Sequence, residues 1–216
     1  LIVNTIGTVD DLIEKNEQFL IKFQAYLIQT YYKYSLECDD TVELSDLVNR
    51  TGKTVKESRW KESKVLDLST MPSGNIFINE FSDGKSFSTN IKTINNLDMV
   101  YGSIRPYFKK AGFALDVDYI AGTVFSFNVK NKADYLWVLA CISSEGFHSF
   151  TSTNAQGTKM PIINWDTFIS YKVPFDSQIV ESLNETLGPI FDICINKMRQ
   201  NRKLKAIKKN LLTKYF

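Results

Sequence analysis

The feature that most constrains this chain is that it opens and closes with two versions of one segment. Aligned without gaps, Thr5, Gly7, Asp11, Ala25, Lys33 and Tyr34 recur as Thr186, Gly188, Asp192, Ala206, Lys214 and Tyr215, at an offset of 181 that is the same from 5 to 186 as from 34 to 215. Conservative pairs keep the register, among them Ile6 with Leu187, Val9 with Ile190 and Leu12 with Ile193. Both copies also carry a seam at alternating spacings of four and three, the period of a coiled coil. In the first copy it runs through Val9, Ile13, Asn16, Leu20, Phe23, Leu27, Thr30 and Tyr34. In the second it runs through Ile190, Cys194, Lys197, Asn201, Leu204, Lys208, Leu211 and Tyr215, with Ile193, Met198, Ile207 and Leu212 widening the stripe. Asn16 and Asn201 are polar interruptions of the kind that cost stability and fix register. Two arrangements satisfy such seams: each helix packs on its own domain, or the helices pair, and the recurrence favours pairing. The period is too long for a solenoid and reads as a domain duplication. A unit bracketed by the same helix is expected from a tandem helix-domain-helix-domain chain cut near its middle, and a first residue that is leucine rather than methionine suits a fragment.

Between the helices the texture changes to short β-rich runs separated by turn residues, and the expected division is a helix over 1–36, a domain over 37–176 and a helix over 177–216. Asn75 to Phe81, Met99 to Ile104 and Thr123 to Val129 read as strands of a mixed sheet. Asp134 to Ser143 reads as a buried helix, and Asp176 or Ser177 as the N-cap of the last helix. The fold class expected is therefore an α/β or α+β globular domain with a mixed β-sheet, flanked by long coiled-coil-forming helices.

Composition chiefly excludes. With 216 residues, 44% hydrophobic and 23% charged, the chain can bury one real core plus an appended element. Its net charge of +2 is too small to argue for nucleic acid, since an electrostatic footprint depends on distribution. Cys38, Cys141 and Cys194 are odd in number and far apart, which suggests neither disulfides nor zinc and suits a reducing cytoplasm. His148 is the sole histidine, so a catalytic reading has only Cys141 or Ser144 to pair with it. These residues lie in or beside an apolar helix and lack a nucleophile turn. No run of about 18 apolar residues and no basic-then-apolar N-terminus is present, so neither a membrane span nor secretion is expected.

Three loops concentrate basic and hydrogen-bonding side chains. In Arg50 to Lys64, six cations outnumber Glu57 and Glu62, and Gly52 permits close backbone approach; the loop either contacts phosphates or is a solvated charged surface. In Tyr101 to Lys110, read YGSIRPYFKK, Arg105 precedes Pro106 and is expected in extended backbone. It presents its guanidinium either to a guanine edge or phosphate, or to an internal salt bridge. Tyr101, Tyr107 and Phe108 read as core or loop anchors rather than stacking platforms. Ser152 to Lys159, read STNAQGTK, suits adenine edges and equally suits ordinary turn chemistry.

The third loop continues as GTKMPIINW (157–165) and then YKVPF (171–175), and this resembles the end of a target-recognition domain in the specificity (S) subunit of type I restriction-modification enzymes. That family shows a G-[ST]-x-x-P-x-[IL] turn, a short helix, a proline-rich strand and a long helix; here Phe175 stands where the second proline is usual. Val42 to Lys53 is similar to the opening of such domains, Tyr101 to Lys110 to a recurrent YGSIRPYxxK segment, and Asn201 to Phe216 to the distal conserved helix, with Thr213 in place of a proline. The resemblance covers nearly the whole chain in order. It implies a non-catalytic C-terminal half that reads one half of a split site in double-stranded DNA. Methyltransferase subunits would carry S-adenosylmethionine and dock around the helices, with the restriction subunit indirectly attached and the chain itself needing no cofactor or metal. As an isolated half the chain could form a homodimer. The DNA-contacting residues implied are Arg50, Lys53, Thr54, Arg59, Lys85, Arg105, Lys109, Lys110, Asn154, Gln156, Thr158 and Lys159. A coiled-coil scaffold that binds only protein is the alternative.

Overall fold

A computed structural model describes residues 2–88 and 90–215, with side chains from residue 6 onward; Leu1, the Thr5 side chain of the repeat and Phe216 lie outside the described residues. The two copies of the repeat form the two longest elements, α1 (Ile2–Ser35) and α7 (Ser177–Tyr215). They run antiparallel, as low numbers in one meet high numbers in the other: Lys208 bonds to Asp10 at 2.6 Å, Lys205 to Glu17 at 2.9 Å, and the rings of Phe23 and Phe191 lie 6.0 Å apart. Asp176 Oδ1 accepts from the backbone N–H groups of Gln178 and Ile179 and so caps the start of α7. The helix continues through Gly188 and Pro189, although an interior proline removes a backbone donor. Leu187, Phe191 and Cys194, buried on either side of that point, hold it in place.

Of the seam residues, Ile13, Leu20, Phe23 and Leu27 are buried, while Val9, Ile190, Leu204 and Leu211 are half-buried. Met198 is buried too, but Ile193, Ile207 and Leu212 face solvent, because one partner helix and one domain cover only part of the circumference of α7. Asn16 and Asn201 meet inside the seam, Asn16 Nδ2 donating to Asn201 Oδ1 at 2.8 Å. Pairing and packing on the domain are not alternatives here. Leu20, Phe23, Leu27, Phe191 and Met198 belong to one continuous core with Phe113, Phe127 and Trp137 of the central domain.

That domain is layered. The middle layer is an antiparallel sheet of β2 (Val48–Arg50), β9 (Val124–Val129), β6 (Met99–Gly102) and β7 (Ala111–Phe113), in that order. Alternation along its strands decides the packing. Met99, Tyr101, Phe125 and Phe127 join the helix-facing core with α4 (Tyr135–Ile142), α5 (Glu145–Thr153) and α6 (Trp165–Ile169). Val100 and Val124 face the other way, against Leu66 and Ile120 of a second sheet and the adjoining Ile94. This outer sheet runs β4 (Ser82–Asp83), β3 (Lys64–Leu66), β8 (Tyr119–Ala121), β5 (Ile91–Thr93), and its β3–β8 pair is parallel. A two-stranded pair, β1 (Thr41–Glu43) with β10 (Lys172–Pro174), ties the two ends of the domain together.

The α/β architecture with a mixed sheet flanked by long helices is as read from sequence; among the described residues the strands form three sheets, the outer one mixed, and Asn75 to Phe81 forms no strand. Ile76, Phe77 and Ile78 are buried there, yet side chains satisfy the backbone instead of a ladder. Gln24 Oε1 accepts from Ile76 N at 3.0 Å, Asn75 Oδ1 from Phe77 N at 2.9 Å, and Ile78 O accepts from Arg202.

Candidate nucleic-acid interface

The second and third basic loops form one ridge. Gln156 and Ile162 exchange backbone hydrogen bonds of 2.9 Å each, closing a tight turn through Gly157 and Thr158. Ile162 also bridges to Ile104, and Ile163 N bonds to Ser103 O at 3.0 Å, so residues 156, 162 and 104 stand side by side. Arg105 follows directly. Its backbone is left-handed (φ 49°, ψ 60°) rather than extended, which corrects the expectation from its position before proline. Pro106 disfavours the right-handed region. The turn is then pinned on both sides, Arg105 N donating to Pro161 O at 2.7 Å and Arg105 O accepting from Phe108 N at 2.9 Å. Lys109 closes the same turn at φ 52°. Two left-handed non-glycine residues around one turn store about 1 to 3 kcal/mol each, a cost that clusters at functional sites.

The exposed Arg105 guanidinium forms no ion pair among the described residues and donates one long hydrogen bond, to Lys159 O at 3.5 Å. Gln156, Thr158 and Lys159 are exposed beside it. Tyr107, Phe108, Met160 and Ile162 are 48%, 45%, 49% and 41% exposed on the same ridge. Tyr101 is the core residue that the sequence implied, but Tyr107 and Phe108 are not anchors. The 3-10 turn at Pro106–Phe108 buries Pro106 and leaves both rings half exposed.

A second cationic group lies at the first loop. Residues 53–55 extend the outer sheet, with Thr54 bridging to Lys92, Thr93 N donating to Lys53 O at 2.9 Å and Val55 N to Ile91 O at 3.1 Å. This displays the exposed Lys53 and Thr54 along β5. Arg50 lies over the ring of Trp165 at 5.0 Å. Burial, and then the positive charge of Arg50, hold the Lys92 ammonium below its usual pKa. Lys92 and Trp165 were not singled out from the sequence, since β5 and α6 are adjacent to the first loop only in the fold. Gly52 serves packing rather than approach to a ligand, for at φ 88° a Cβ would meet Ser126 Oγ at 2.9 Å.

Other candidates are tied back into the domain. Lys109 pairs with Glu145 at 2.6 Å, Lys85 with Glu62 at 2.8 Å, Lys110 donates to Leu68 O, and Asn154 Nδ2 donates to Phe150 O at the end of α5. Arg59 is exposed on α3 (Glu57–Trp60).

The Cys141, Ser144 and His148 combination is not assembled. Burial pushes the Cys141 thiol up to about 12. Ser144 Oγ accepts from Phe147 N as a helix cap, and His148 Nδ1 lies 3.1 Å from the buried Tyr101 hydroxyl. Among the described residues no helix is long and apolar enough to cross a membrane, and no group of three or more His, Cys, Asp and Glu could hold a metal ion.

No family model matches the sequence, and no curated protein matches it. Solved structures do. The S subunit of the type I restriction-modification system of M. genitalium superposes over 100% of this chain and 59% of its own, with a TM-score of 0.57 at 14% identity. This chain has the S-subunit fold. The HsdS subunit of Thermoanaerobacter tengcongensis superposes over 99% of this chain and 55% of its own, with a TM-score of 0.50 at 11% identity. The chain therefore spans a little over half the length of these S subunits.

Proposed function

We propose that this chain reads one half of a split site in double-stranded DNA for a type I restriction-modification enzyme, as one target-recognition domain of its S subunit. The observation that carries the reading is the ridge of Arg105 and Gln156–Lys159. It is a cationic, hydrogen-bonding edge held in costly backbone, free of internal carboxylates among the described residues, on an S-subunit fold. Arginine suits guanine O6 and N7, and glutamine suits adenine N6 and N7, both in the major groove. Lys53, Arg50 and Lys92 would position the duplex through phosphates without reading sequence. Lys85 and Lys109 already have carboxylate partners, and would contribute less.

On this reading the chain supplies location and performs no chemistry. Methyltransferase subunits, carrying S-adenosylmethionine, would extrude the target base, and the restriction subunit would join through them. The solvent-facing apolar residues of the helix pair, such as Ile21, Tyr26, Ile193 and Ile207, are surface on which protein partners would dock.

The test is selection from a randomised duplex pool by the chain with its cognate methyltransferase subunits, at two salt concentrations. Enrichment of one short half-site is expected. Arg105→Ala should weaken one base-pair position by about 1 to 3 kcal/mol, whereas Lys53→Ala should weaken all sequences alike and reduce the salt slope by about 1. Absence of duplex binding at either salt would leave a protein-only scaffold.

A further inference from the structure

The ridge carries more apolar surface than a phosphate-binding edge needs. Leu68, Ile104, Phe108 and Met160 line an open groove of about 420 Å³ to which Arg105 and Lys110 supply the charged lining. The groove is built rather than incidental. Lys110 donates to Leu68 O and so ties its two sides together, and Ile104 is fixed by its bridge to Ile162. Phe108 and Met160 stay exposed although neither closes a core, and both neighbour the left-handed Arg105 or its acceptor Lys159. An arginine with no carboxylate partner among the described residues, beside an apolar groove, is complementary to a group that is apolar itself and borders acceptors and negative charge.

Resting on the DNA reading above, we infer that this groove is a specificity-determining subsite for the C5-methyl group of a thymine in the major groove, next to the base pair that Arg105 contacts. The thymine methyl is the one apolar group on the floor of the major groove, and side chains of this kind read it by contact. Arg105 would face the neighbouring base, Phe108 and Met160 the methyl. Because the groove is open, the discrimination comes from burying a methyl and not from excluding other bases by shape.

The experiment uses the assembled complex of the chain with its methyltransferase subunits on its selected half-site, with each thymine replaced in turn by deoxyuridine, which removes only the methyl. One position, adjacent to the pair sensitive to Arg105→Ala, should lose about fourfold in affinity, the value of one buried methyl. Phe108→Ala and Met160→Ala, both truncations at exposed positions, should abolish that difference while keeping the rest of the half-site. A half-site without thymine beside the Arg105 position, or selective binding indifferent to every uracil, overturns the inference and leaves the DNA reading standing. Loss of affinity in Phe108→Ala on thymine and uracil duplexes alike would mean stacking or wedging, and equally overturns it. If no duplex is selected at all, the DNA reading itself fails.

Discussion

Replacing Asn16 by leucine should unsettle the helix pair, and the network around it sets by how much. Asn16 spends both amide hydrogens inside the seam, one on Asn201 Oδ1 at 2.8 Å and one on Gln200 Oε1 at 2.9 Å, and its carbonyl oxygen accepts from Lys197 Nζ at 2.9 Å. Asn201 donates in turn to Ile13 O at 3.4 Å, and both asparagines are buried. Asn16→Leu leaves Asn201 Oδ1 buried without a donor, a loss of about 1 to 3 kcal/mol. Lys197, half-buried, recovers its hydrogen bond from water. Asn201→Leu strands one Asn16 N–H and costs about as much, again roughly 1 to 3 kcal/mol. The double variant leaves neither amide, and swapping both partners for apolar groups is close to neutral, within about 1 kcal/mol. The single losses sum to roughly 2 to 6 kcal/mol, so against a near-neutral double variant the coupling between the two sites is at least about 1 kcal/mol and centred near about 4, towards or above the upper end of the range of about 0.5 to 3 kcal/mol found for groups in one network. For a domain of this size each single change should lower Tm by roughly 2 to 12 °C, and the double variant should recover most of it. Urea and thermal melts of the four proteins measure the cycle. Strictly additive losses would show that the two amides do not satisfy each other, and would refute the argument.

Other predictions follow from single contacts. Burial holds the His148 pKa down to about 4, below the usual imidazole value of 6.5, with Glu145 opposing the shift. Its depressed pKa means the folded chain binds fewer protons, so this stability is fully present above about pH 6.5 and is lost as pH falls towards 4, to a total of roughly 3 kcal/mol. Urea midpoints between pH 4.5 and 7.5 should show that step in the wild type and lack it in His148→Gln; parallel curves would mean that the imidazole is not responsible. Gly112→Ala places a Cβ 2.4 Å from Ile76 O in the middle layer and should cost more than about 3 kcal/mol, read as lost soluble yield or a depressed melt. Gly7→Ala meets nothing within 4 Å and should raise stability by about 0.5 to 1 kcal/mol, the helical preference of alanine over glycine. A lower melt would reveal a contact that the fold does not display.

The amino-acid sequence by itself determined what depends on neighbours along the chain. A seam spaced four and three specifies a helix wherever it occurs, and its recurrence at both ends specified two helices that match, each with one asparagine in its seam. The punctuation between them marked β6 (Met99–Gly102), β9 (Val124–Val129) and α4 (Tyr135–Ile142), because period and turn chemistry are local. Tertiary structure decided what depends on groups distant in sequence. Ile76 to Ile78 are apolar enough for a strand, yet Gln24, 52 positions before Ile76, takes the hydrogen bond that a ladder would need. Arg105 should be extended by its proline neighbour, and Pro161, from another loop, turns it left-handed. The site is least legible of all. A lysine looks the same in sequence whether it meets Glu145, as Lys109 does, or solvent, as Lys53 does. Charge reaches only as far as the partner that folding brings within about 4 Å, and it is the three-dimensional chain that chooses the partner.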